Sequence, residues 1–186
     1  SQATIKKRKF SEDFKEMLLL IVKPLTLIFI ISIFLYVLIE QSFQTWFPTF
    51  YTDIINAPAS MAVQAGAVLG GAFMIGRFLG GFILNKVKWI YLLSFCLVAS
   101  AILIVLVLPL SGNSSTEGLI TWSNAPTVVY LMPLIGLFLA PVYPTINSTI
   151  LSSLPKHMHS SMAGLIVVFS ALGGTTGSII TGNVFQ

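Results

Sequence analysis

Tyr36, Glu40 and Gln44 stand four residues apart in a stretch that follows the apolar run LTLIFIISIFL. On a helix that spacing places a phenol, a carboxylate and a carboxamide on one face. Such a set makes hydrogen bonds to a polar guest; no nucleophile–base–acid set of an enzyme accompanies it. At 1.5 Å per residue Glu40 lies about 22 Å into a helix starting at Leu25. An ionised carboxylate exposed to lipid there costs roughly 2.5–3.5 kcal/mol, so a polar cavity is the expected surrounding. The alternative is a protonated Glu40 that hydrogen-bonds a neighbouring helix as structural glue. Tyr143 and Asn147 repeat the four-residue spacing among three prolines, Pro133, Pro141 and Pro144. Prolines free backbone carbonyls and permit bending in a membrane helix. Two such helices facing each other would line a pocket, the alternative again being packing and interhelical hydrogen bonds.

The elements that must position these groups follow from composition. Only 9% of the 186 residues are charged and 55% are hydrophobic, where a soluble domain has roughly 25% charged residues. The chain is therefore expected to be an integral membrane protein of the all-α class, a polytopic helix bundle. A crossing helix needs about 20 apolar residues, and residues 24–50, 59–85, 89–110, 127–151 and 161–184 qualify. Pro48 removes a backbone hydrogen bond, so a kink or break is expected near the end of the first span. Residues 1–23 are set apart as a basic segment and interfacial helix, and 24–186 as the bundle. In the former, Phe10, Phe14, Met17, Leu18 and Ile21 share one helical face behind the basic run KKRK, a pattern suited to anionic lipid rather than nucleic acid.

Charge sets the direction. Lys6, Lys7, Arg8, Lys9, Lys15 and Lys23 precede the first span, Lys86 and Lys88 follow the second, and Lys156 follows the fourth. The remaining two loops carry only Asp53 and Glu117. The positive-inside rule then puts the N-terminus of this segment in the cytoplasm of a multi-pass cell-membrane protein. Five spans is an odd number and the chain stops just after an apolar stretch, so a fragment of a longer protein is expected.

Glycines punctuate the second span (Gly66, Gly70, Gly71, Gly76, Gly80, Gly81) and the fifth (Gly164, Gly173, Gly174, Gly177). They predict close, sliding helix contacts, with Gly80 and Gly81 at the cytoplasmic gate. Arg77 is expected to act conformationally, either by snorkelling to the interface or by pairing with a distant carboxylate. Gln64 is a weak pocket candidate. His157 and His159 lack a third ligand, so no metal, cofactor or catalytic residue is expected, and the sequence holds no hydrolase, zincin or Walker motif. Cys96 cannot form an internal disulfide on its own.

Three stretches resemble the major facilitator superfamily and, within it, the fucose permease-like sugar transporters. YVLIEQSFQTWFPTFYTDII is similar to the seventh helix of that family. IGRFLGGFILNKVKW is similar to its GRF-containing eighth helix and to a degenerate cytoplasmic loop motif, carried here by Gly81, Asn85, Lys86 and Lys88. Asn85 stands where the motif has Asp, and Lys88 where it has its second Gly. PVYPTINSTI resembles the tenth helix. The resemblance implies helices seven to eleven of a twelve-helix secondary transporter, with a missing six-helix N-terminal half as partner. It implies symport of a sugar-like solute across an inner membrane by alternating access. Glu40, Gln44 and Asn147 would meet solute hydroxyls, while Tyr36, Trp46 or Tyr143 would stack on its ring. Other solutes on the same fold (nucleoside, drug, organic anion) are the alternative, Glu40 speaking against anions; a non-transporting sensor or assembly subunit is another.

Overall fold

The computed structural model describes residue 22, residues 24–112 and residues 120–184. The expected interfacial helix and basic run, with Lys23, Asn113 and Glu117, lie outside the described residues. The described chain is helical, and five of its segments are long and apolar enough to cross a membrane. Their bounds agree with the sequence reading to within a few residues, the largest departure being the start of the last.

The first span opens with α1, Pro24–Thr49. Pro24 occupies the first helical position, where a missing N–H costs nothing. Pro48 breaks the hydrogen-bond ladder near the other end, and the chain continues as one wide π-helical turn, Phe50–Ile54. Asn56 then takes a left-handed backbone (φ 58°), which asparagine tolerates better than most residues. The reversal lets the Ala57 N–H reach the Tyr51 carbonyl at 2.9 Å.

The second and third spans are α2, Ala59–Leu84, and α3, Trp89–Gly112. The fourth is α4, Thr127–Leu139, and α5, Val142–Ser153, joined at Ala140 and Pro141. Pro141 and Pro144 have no N–H to offer Leu137 and Ala140, which explains the interruption. The ladder resumes at Thr145, which donates its N–H (3.2 Å) and its hydroxyl (2.7 Å) to the Pro141 carbonyl. A short 3₁₀ turn, Lys156–Met158, leads into α6, His159–Val184.

The fourth span is the centre of the bundle. In its most apolar stretch 61% of residues are buried, against 22–28% in the other four. α2 and α3 both pack on α4, and α1 packs chiefly on α6. The outward faces carry large exposed apolar side chains such as Val63, Phe78, Val105 and Val167, as helices surrounded by hydrocarbon require.

Close approach occurs where the small residues permit it. A Cβ on Gly76 would overlap the Leu137 carbonyl, and one on Gly80 would sit 2.5 Å from Pro141 Cβ. On α6, a Cβ on Gly173 or Gly177 would overlap the Phe34 or Leu38 carbonyl of α1. Each glycine-rich helix thus closes on a different neighbour. Gly81 makes no such close contact among the described residues: nothing lies within 4 Å of where its Cβ would be. It is exposed at the bundle surface, one residue round from the buried Gly80.

Candidate functional site

The site starts from the face of α1 that the four-residue spacing singles out. Glu40 is 7% exposed despite its charge. Its Oε1 accepts hydrogen bonds from Arg77 Nη2 at 2.8 Å and from Gln44 Nε2 at 3.1 Å. Gln44 reaches Glu40 because it sits one turn further along the same face. Arg77 arrives from α2, whose position is fixed by Gly76 closing on Leu137 one residue earlier. Arg77 therefore does not snorkel to the membrane surface; it pairs with the carboxylate inside the bundle. Burial of a lone charge is costly, and a partner with further hydrogen bonds reduces that cost.

The pair is asymmetric. The Glu40 side chain is 9% exposed and that of Arg77 is 52% exposed. The carboxylate is buried behind the cleft lining, and its partner Arg77 reaches the lining itself. Both Arg77 and Gln44 line a cleft of about 510 Å³ between α1 and α2, with Phe47 and Pro48 on one side and Gly70 and Phe73 on the other. The Phe73 ring centroid lies 5.7 Å from the guanidinium carbon, close enough for a cation–π contact. Gly66 and Gly70 have nothing within 4 Å of where a Cβ would be. Their bare backbone gives the cleft its width.

The aromatic residues expected to stack on a solute, Tyr36, Trp46 and Tyr143, do not line this cleft. Tyr36 is buried and donates its hydroxyl to the Leu139 carbonyl at 2.7 Å, beside the break in the fourth span. Its ring stacks on Tyr143 at 6.2 Å between centroids and 27° between planes. The Tyr143 hydroxyl lies 3.1 Å from Ser170 Oγ of α6. Tyr36 and Tyr143 are thus brought together as a pair. Asn147, one turn beyond Tyr143, has a buried Oδ1 with no hydrogen-bond partner among the described residues. Trp46 lines a separate apolar pocket of about 140 Å³ with Phe43, Phe50 and Asp53.

At the end of the bundle that carries the lysines, the Lys86 ammonium lies over the Phe82 ring at 4.8 Å. Asn85 and Lys88 line a polar groove of about 590 Å³ beside Ser148 and Ser152 of α5. Gln64, at the opposite end, accepts a hydrogen bond from Trp122 Nε1 at 2.6 Å.

The site residue whose position the sequence left open is Arg77. One signal was available: it is a lone guanidinium inside a span, and Glu40 is a lone carboxylate inside another. Two unpartnered opposite charges in one bundle are each other's natural partner.

A family model described as Major Facilitator Superfamily matches residues 2–178. No curated protein and no solved structure matches the chain.

Proposed function

The chain belongs to the Major Facilitator Superfamily, and from that premise we propose that it is the C-terminal half of a secondary transporter for a sugar-like polar solute. The half would work by rocking against an N-terminal six-helix half, with the solute held at their interface near the membrane midplane. The lysine-bearing turns would face the cytoplasm. A His157→Cys variant should then react with an impermeant maleimide only after permeabilisation; ready labelling from outside would reverse the orientation.

The observation that carries the reading is the cleft holding Gln44 and Arg77 in front of buried Glu40. A membrane bundle gains nothing by leaving a half-exposed guanidinium and a carboxamide beside an open volume unless something polar enters it. In this role Gln44 and Arg77 supply hydrogen-bond donors, Glu40 orients both, and Phe47 and Phe73 offer apolar edges to a sugar's C–H groups. Asn147 would be the amide that α5 contributes. Tyr36, Tyr143 and Trp46 would act around the cleft, and Lys86 and Lys88 at the cytoplasmic turn.

The test is solute counterflow by the full-length protein in liposomes, run over a panel of hexoses, pentoses and their oxidised derivatives. At least one should exchange saturably, and Gln44→Leu should weaken its apparent affinity by up to about tenfold, the worth of one good hydrogen bond. Absence of exchange for the whole panel, by protein that is folded and inserted, would reject the reading.

A further inference from the structure

We propose that the solute of this cleft carries a carboxylate beside its hydroxyl groups, as a sugar acid does, and that the free side of the Arg77 guanidinium receives it. This rests on the reading of the cleft as the solute site and adds the charge of the solute to it.

The geometry begins with the guanidinium itself. Arginine presents five N–H donors in a flat fork. Among the described residues, the hydrogen bond from Arg77 goes through Nη2 to Glu40 Oε1. Among the described residues the other edge of the fork meets no acceptor, and the side chain is 52% exposed. Glu40 does not cancel this charge evenly. Its carboxylate is buried on the far side of the guanidinium, so a molecule entering the cleft meets the cation first. An anion bound on the open edge touches Arg77 directly and is held away from Glu40 by the width of the guanidinium.

The fork is also held still. Glu40 fixes one edge, and the Phe73 ring lies 5.7 Å from the guanidinium carbon. Glu40 in turn is held by Gln44 at 3.1 Å. Restrained in this way, the fork is ready for a two-point contact with a carboxylate, the strongest hydrogen-bonded arrangement available to arginine. Gly66 and Gly70 line the same cleft with no neighbour within 4 Å of a Cβ, which leaves room for a ring-sized body around the carboxylate.

Closing the cleft raises the demand for acceptors. Alternating access removes water from the solute site, and a guanidinium stripped of water needs acceptors for its remaining donors. A hydroxyl accepts weakly at one point, whereas a carboxylate accepts at two through charge-assisted hydrogen bonds. Glu40 is then a positioning residue and Arg77 the solute contact. Loaded, the cluster holds one net negative charge. Either a cation crosses with the solute or the membrane potential acts on each cycle.

The experiment compares four probes at neutral pH with the full-length protein in liposomes: glucose, galactose, glucuronate and galacturonate. At least one uronate should compete for counterflow ten times or more as strongly as its parent sugar. Arg77→Gln should abolish that preference, so that uronate and parent sugar compete about equally for whatever exchange remains. If Arg77→Gln alone does not insert, the double variant Glu40→Gln, Arg77→Gln removes both charges and keeps both shapes; it too should treat uronate and sugar alike. Neutral sugars exchanging as well as or better than uronates in the unmodified protein would overturn the inference and leave the transport reading standing. A uronate preference that survives either variant would overturn the role of Arg77. Failure of all four probes, and of the wider panel above, would count against the transport reading itself.

Discussion

α2 carries two neighbouring stripes of small residues that do opposite things. One stripe includes Ala62, Ala65, Gly76 and Gly80, all buried. At Gly76 and Gly80 the missing Cβ lets the fourth span come into contact. The other includes Gly66 and Gly70, which face the cleft with nothing near. There a missing Cβ leaves space unfilled. The same residue type on the same helix thus serves packing in one direction and vacancy in the other. A glycine pattern in a membrane helix therefore reports where bulk is unwelcome, and the neighbouring helix decides why.

Substitution by leucine should separate the stripes. Gly76→Leu has the largest expected effect, because the side chain would collide with the Leu137 carbonyl, which is backbone and has nowhere to go. Overpacking costs typically about 1–3 kcal/mol and occasionally more, so thermal stability in detergent should fall sharply and much of the protein should aggregate. A well-behaved Gly76→Leu protein would mean that α2 and the fourth span are not in contact as described. Gly70→Leu comes next. It should insert and melt within a few degrees of the unmodified protein, yet lose counterflow by roughly tenfold or more, the fold-change that corresponds to about 1.4 kcal/mol. Normal exchange in Gly70→Leu would show that solute does not use this cleft. Gly81→Leu is the smallest: exposed, with no neighbour within 4 Å, it should change stability and counterflow by less than about twofold. A severe defect there would restore the gate role that the sequence suggested for it.

The spans were legible because hydropathy alone determines them, and the interruption of the fourth was legible from Pro141 and Pro144. The packing was less so. Gly80 and Gly81 look alike in sequence, but they point about 100° apart on a helix, and only the neighbouring chain distinguishes them. Glu40 was recognisable as a residue that must avoid lipid and Arg77 as a cation able to pair with a distant carboxylate, but not that the two meet, because the depth of Arg77 relative to Glu40 depends on how α2 seats on the fourth span. Without Arg77 in view, a carboxylate facing a pocket speaks against anionic solutes. With Arg77 at the cleft and Glu40 behind it, that reading no longer follows from Glu40, and the proposed solute is an anion. Tyr36 and Tyr143 were read from their spacing as one set with Glu40 and Asn147, whereas their rings meet each other and the Tyr36 hydroxyl is taken by a backbone carbonyl. A side chain that shares a helix face with a polar group still answers to whatever helix lies opposite it.

The two buried tyrosine hydroxyls of the first span have a mechanical meaning. Tyr36 is fastened to the Leu139 carbonyl at one end of α4, and the Tyr51 hydroxyl donates to the Val129 carbonyl near the other at 2.5 Å. The anchor points are about four helical turns apart along the first span. A rod pinned at one point can still roll about its own axis; a rod pinned at two such points resists torsion and axial slip. The first and fourth spans should therefore tilt as one braced frame, with Glu40 and Gln44 between the pins. Their azimuth would then stay constant while the frame swings, so the cleft's polar edge would be carried through the motion without being turned toward lipid.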